Sequence, residues 1–133
     1  MKKLISYKSA KELDKLSQNE YLIPSLSLME SAAREFYSLI KEDIKKSNSV
    51  LFVAGSGNNG ADALAVARMA YCDGFENIEI YFVDGHQSEE NLTQLNICKA
   101  LNIPFVNTIA ADLIIDGLIN NVLVIKKILF PWK

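Results

Sequence analysis

Ala54-Gly55-Ser56-Gly57-Asn58-Asn59-Gly60-Ala61-Asp62 decides how this chain is read. The stretch follows the apolar run Val50-Leu51-Phe52-Val53 and leads into an alanine-rich helical pattern, so it reads as a strand, a glycine turn and a helix start. Glycines at 55, 57 and 60 let the backbone turn sharply and let a ligand approach the main chain. The N–H groups of a helix start favour anionic oxygens, which makes phosphate or nucleotide binding the first function to consider. The plain alternative is a turn that only packs a helix close to a sheet. The spacing also satisfies G-x-G-x-x-G, and the next apolar run, Ile78 to Val83, ends in Asp84, where a dinucleotide-binding module would place its ribose-binding acid.

Working outward, the helix after the turn carries Ala61, Ala63, Ala65, Ala67 and Ala70 and stops near Gly74, so it can lie close against a sheet. Before the turn, Ala10 to Leu16 suggests a short helix. Ser27 with Glu30 suggests a capping box for a longer one, whose apolar face is Leu28, Met29, Ala32, Ala33, Phe36, Leu39 and Ile40. After it come a strand at Ile78 to Val83, a helix from Ser88 with Leu92, Leu95, Cys98 and Leu101 on one face, and short strands at Pro104-Phe105-Val106 and Leu113-Ile114-Ile115. The order αα-β-α-β-α-β-β predicts an α/β domain, a Rossmann-like three-layer fold with a mainly parallel sheet. Ligands of such sheets bind beyond the carboxyl ends of the strands, where Asn58, Asn59 and Asp62 follow one strand and Asp116 another.

The chain has 133 residues, half of them hydrophobic and 23% charged, with a formal charge of −2, which suits one domain over residues 1–133 and offers no basic footprint for nucleic acid. The basic Met1-Lys2-Lys3 is followed by only two apolar residues, and no run reaches the roughly 20 needed to span a bilayer, so a cytoplasmic, membrane-free protein is expected. Cys72 and Cys98 lie on helical stretches in no metal-ligand spacing and read as buried or half-buried thiols. His86, the single histidine, reads as a surface loop residue.

The polar pair within the turn sharpens this reading. Gly57-Asn58-Asn59-Gly60-Ala61-Asp62 resembles the Gly-Asn-Asn-Gly-Gly-Asp signature of the YjeF N-terminal domain family, the NAD(P)H-hydrate epimerases. Two further segments agree. Ile23 to Ala33 resembles the family's proline-led helix with Leu-Met-Glu-Asn-Ala-Gly, with Ser31 for the Asn and Ala33 for the Gly, and Asp112 to Leu118 resembles its strand ending in an Asp. Ala61 and Ala63 stand where the family has glycine.

The resemblance implies interconversion of the R and S epimers of hydrated NADH and NADPH (NADHX and NADPHX), with the hydrated cofactor as substrate and a separate S-specific dehydratase as functional partner. It implies substrate contacts at Asn58, Asn59, Gly60, Ala61 and Asp62, and K⁺ held with the help of Asn59 and Asp116. A homodimer is compatible with it. No residue is assigned as the catalytic acid or base. The resemblance covers about residues 1–118; residues 119–133 show neither the family's glycine-rich loop nor its Asp-x-Pro-Ser-Gly segment and read as a divergent tail of a shortened member. Epimerase activity that is very low or undetectable, with little stimulation by K⁺, is therefore expected. Three other readings stay open: a catalytically inactive nucleotide-binding remnant, a truncated product without an independent role, and a Rossmann NAD-binding module using Asp84.

Overall fold

The computed structural model describes residues 22–46 and 48–118 and the backbone of residues 123–125. The elements are α1 (Ser25–Ile40) with a 3₁₀ turn at Lys41–Asp43, β1 (Ser49–Ala54), α2 (Asn58–Cys72), β2 (Asn77–Phe82), α3 (Glu89–Ala100), β3 (Leu113–Gly117) and β4 (Leu123–Ile125). The helix expected at residues 10–16 and the divergent tail, apart from the β4 backbone, lie outside the described residues.

The sheet order is β2-β1-β3-β4, with β1 parallel to both neighbours and β4 antiparallel to β3. The class is the α/β class expected, with its parallel strands at the centre. Strand β1 is covered on both faces, which is why it reads as an unbroken apolar run rather than an alternation. Val50, Phe52 and Ala54 join the core with α2, while Leu51 and Val53 form a second buried cluster with Ile114 and Ala111. Fully burying a side chain such as Phe52 or Leu51 contributes about 1.5–3 kcal/mol.

Small residues bring α2 against the sheet: Ala61, Ala63, Ala65 and Ala67 are all completely buried. Both Ala61 and Ala63 are helical, so neither position needs the left-handed backbone that glycine alone adopts easily. Helix α2 ends at Gly74, whose φ of +93° is in that region. Around this end, Tyr37 Oη donates to Asp73 Oδ2 at 2.6 Å and Lys46 Nζ lies 4.0 Å from the Phe75 ring centre.

Four expectations are corrected. Pro104-Phe105-Val106 is not a strand: Phe105 makes a single parallel bridge to Ile80, because the chain turns away toward β3 after two backbone bonds. Ser27 and Glu30 do not cap α1, which begins at Ser25 after Pro24; Glu30 instead faces α2 and α3. On α3 the buried face is Asn91, Gln94, Leu95 and Cys98: Leu95 and Cys98 are buried as expected, while Leu92 is 47% exposed and two polar residues share the face instead. Cys72 is exposed, unlike Cys98, and both are free thiols. Burial pushes the Cys98 thiol up to about 11, and its Sγ donates to the Leu64 carbonyl at 3.4 Å. Among the described residues, no helix is long and apolar enough to cross a membrane.

Candidate functional site

Strand β1 connects through α2 to β2 on one side, and the chain then returns to place β3 on the other. The point where the strand order reverses lies between β1 and β3, and the crevice beyond the carboxyl ends of strands at such a point is where α/β sheets bind ligands. Reciprocal bonds between Ser49 and Asp112 fix the register: Ser49 N donates to Asp112 Oδ2 at 3.0 Å, and Asp112 N donates to Ser49 Oγ at 2.8 Å. That register puts Val53 opposite Asp116 and Ala54 opposite Gly117, so the glycine turn and the end of β3 face one another.

The turn is held from several sides. Val83 N donates to Ala54 O at 2.8 Å, Gly55 N to Gly117 O at 3.4 Å and Ser88 N to Ser56 O at 3.2 Å. From α3, Asn91 Nδ2 donates to Gly55 O and to Gly57 O, both at 2.8 Å. Asn91 Oδ1 in turn accepts from Gln87 Nε2 at 2.9 Å, and Ser88 Oγ caps α3 by accepting from Asn91 N at 3.2 Å. The first bond of α2 is Ala61 N to Gly57 O, so the N–H groups of residues 58–60 precede the helical bonding pattern.

The glycines differ in what they permit. A Cβ at Gly60 would overlap the Gly55 carbonyl oxygen and lie 2.5 Å from its carbon, so the packing of α2 on the turn requires glycine there. One at Gly117 would lie 2.6 Å from Ala63 Cβ. At Gly57 nothing stands within 4 Å, and its φ of −89° is open to any residue.

Together these elements enclose a cleft of about 280 Å³ lined by residues 55–60, Val83, Asp84, Gly117 and Leu118. The structure thus brings Asn58, Asn59 and Gly60 to one cleft, and sets Asp116 beside it, one residue before Gly117. Asp116 Oδ1 accepts from Leu118 N at 2.8 Å and shapes the turn that carries Leu118 to the wall. Ala61 is completely buried beneath the turn. Asp62 is half-buried on α2 just after its first turn, outside the cleft lining, and Asp84 lines it. No lysine or arginine is in the lining, so an anionic group there would be met by main-chain N–H and amide donors. Among the described residues, no group of three or more His, Cys, Asp or Glu could hold a metal ion.

Asn91, Gly117, Leu118 and Val83 were not singled out from the sequence. The Ser88/Asn91 spacing was legible as a helix cap, but the reach of the Asn91 side chain back to residues 55 and 57 depends on packing between elements 34 and 36 positions apart.

Comparison with known proteins agrees with this geometry. The model of the family described as YjeF-related protein N-terminus matches residues 25–123. The chain is 41% identical over 110 residues to an NAD(P)H-hydrate epimerase of Lentilactobacillus buchneri, covering 80% of this chain and 50% of that protein. It is 38% identical over 111 residues to one of Limosilactobacillus fermentum, covering 79% and 53%. A Dictyoglomus turgidum protein named bifunctional NAD(P)H-hydrate repair enzyme is 29% identical over 126 residues, covering 87% of this chain and 24% of its own length. The crystal structure of yeast ynu0 superposes with a TM-score of 0.65 at 24% identity, over 79% of this chain and 47% of that one, and shows the shared fold. The chain spans about half the length of these two epimerases. With the family's model matching from α1 to the start of β4, around a glycine turn set at the sheet's switch point, the chain belongs to the YjeF-related N-terminal family.

Proposed function

We propose that this chain acts in NAD(P)H-hydrate epimerisation and seats the hydrated dinucleotide in the cleft between the glycine turn and the end of β3. The observation that carries the reading is Gly57: the fold leaves its Cβ position empty, so the missing side chain serves what approaches the turn rather than what packs behind it. A cleft of about 280 Å³ is at the lower edge of the roughly 300–1,000 Å³ usual for ligand sites and suits one end of a dinucleotide. Asn58 and Asn59 supply amide donors and acceptors there, and Asp84, which lines the cleft two residues after β2, offers a carboxylate acceptor for hydroxyl groups.

Three oxygen-bearing groups border Gly117: the carboxylate of Asp116, its neighbour in sequence, and the main-chain carbonyls of Asn59 and Val53, each of which would be 3.1 Å from a Cβ there. Carboxylate and carbonyl oxygens are the donors that hard cations take, so these residues fit a share in a K⁺ site. A bound cation would supply positive charge beside the turn. Inversion at the hydrated carbon passes through a planar or ring-opened species and needs a group that exchanges protons, a role open to the carboxylate of Asp84 in the lining, while the Asn58 and Asn59 amides contribute hydrogen bonds.

The test supplies the R epimer of hydrated NADH together with an S-specific dehydratase and follows recovery of NADH absorbance, with and without this protein, in K⁺ and in Na⁺ buffer. Slow but protein-dependent recovery, faster than spontaneous epimerisation, is the predicted result. No acceleration alongside demonstrated binding in the cleft would reduce the reading to a nucleotide-binding module.

A further inference from the structure

We propose that Asn91 is the positioning residue of the glycine turn, orienting two peptide units so that their N–H groups meet the anionic oxygens of the bound dinucleotide. The proposal rests on the nucleotide reading of the cleft for the ligand's identity, and on geometry alone for what Asn91 does to the turn.

Asn91 is 0% exposed and does not line the cleft. The carbonyls of Gly55 and Gly57, both bonded to its Nδ2 at 2.8 Å, therefore point into the protein. A trans peptide directs its N–H opposite to its carbonyl, so the N–H groups of Ser56 and Asn58 point the other way, toward the side where both residues line the cleft. One amide thereby orients two donors spaced across the mouth of the turn, the Gly55 peptide through its carbonyl and the Gly57 peptide together with the helical bond from Ala61 N at 3.0 Å.

The orientation of the Asn91 amide is itself fixed. Its oxygen accepts from Gln87 Nε2 at 2.9 Å, and the flipped amide would set oxygen against two carbonyl oxygens and nitrogen against a donor. A buried amide of this kind, with both hydrogens and its oxygen engaged, is costly to replace by anything that accepts instead of donating. Gly55 is gripped on its other side as well, since its N–H donates to Gly117 O and its carbonyl lies against the Cα of Gly60. A shift in Asn91 is thus passed to the peptide planes of the turn rather than absorbed by them.

Asn91→Asp separates positioning from mere packing, because it keeps the shape and makes the donor depend on protonation. Burial and two facing carbonyl oxygens favour the neutral acid, so the introduced carboxyl titrates above the usual carboxylate range. In its ionised form it repels both carbonyls; when protonated it restores one donor. Amide NMR of the full chain without ligand is expected to show Ser56 and Asn58 shifting in the variant between about pH 5 and about pH 8, over and above any change in the wild-type protein. Titration with hydrated NADH is expected to show affinity at least about tenfold weaker than wild type at the alkaline end, recovering in part at the acid end.

Variant amides of Ser56 and Asn58 that overlay the wild-type spectrum at the alkaline end would overturn the proposal. Should that variant fail to fold, Gln87→Ala removes only the support of the Asn91 oxygen, and unchanged Ser56 and Asn58 signals there would overturn it equally. Amides that titrate as expected in a protein that does not bind hydrated NADH would uphold the role of Asn91 and sink the nucleotide reading instead.

Discussion

Gly57 and Gly60 look alike in the sequence and do opposite things in the structure. Gly60 is a packing residue: its α-carbon sits against the Gly55 peptide, and Gly60→Ala is expected to lower unfolding free energy by about 3 kcal/mol or more, since backbone rather than a flexible side chain must move. Gly57 stands at the N-cap of α2 with open space before it and no side-chain cap. Gly57→Ser should therefore keep stability or raise it by up to about 1 kcal/mol through a new cap, while weakening binding of hydrated NADH. Denaturant unfolding with a parallel ligand titration measures both halves of the contrast, and equal losses of stability in the two variants would contradict it. The glycine spacing was legible at once, because turn chemistry is local. Which glycine the fold demands was not, since the atoms that forbid a Cβ come from Gly55 for Gly60 and from Ala63 for Gly117.

Between elements, the three helices are tied together by a polar group that periodicity does not reveal. Glu30 on α1 accepts from Arg68 on α2 and from Gln94 on α3, the latter at 2.8 Å, and Gln94 is 0% exposed. Partial burial works against ionisation of Glu30, but the bonds from Gln94 and Arg68 and the charges of Arg68 and Arg34 outweigh it and hold the carboxyl below its ordinary range. A depressed carboxyl contributes stability that is present above its unfolded pKa, about 4.3, and is lost as pH falls through the depressed value. Unfolding free energy is thus expected to drop on acidification from about pH 5 to about pH 3, and Glu30→Gln to flatten that slope while costing about 1–2 kcal/mol at neutral pH. An unchanged slope in the variant, read from denaturant curves across that range, would show that other carboxylates carry the dependence. Ser27 and Glu30 had the spacing of a capping box, yet Pro24 starts the helix earlier and releases Glu30 for this contact. On α3 the same principle misassigned Leu92: the helix spends its buried face on Asn91 and Gln94, whose partners lie on other elements.

Across the whole molecule, the strand–turn–helix at residues 49–72, the parallel sheet and the class of fold were legible because apolar runs, glycines and alanines state them locally. The adjacency of β1 and β3 was not; it is made by pairing over some 63 positions, with Ser49 and Asp112 locking the register. Yet that adjacency creates the cleft, by bringing Gly117 and Leu118 to the turn at residues 55–60. It also explains why Asp84, read as the mark of a rival module, shares a wall with Asn58 and Asn59: all three follow strands that end at the same edge of the sheet. The most direct measurement is an amide NMR titration of the chain with hydrated NADH. The account predicts progressive shifts at Ser56, Asn58, Asn59, Gly60, Gly117 and Leu118, with the amides at the far ends of β1 and β2 unmoved. A well-dispersed spectrum in which the turn and the end of β3 stay still at saturating ligand, or in which the shifts gather elsewhere, would contradict it.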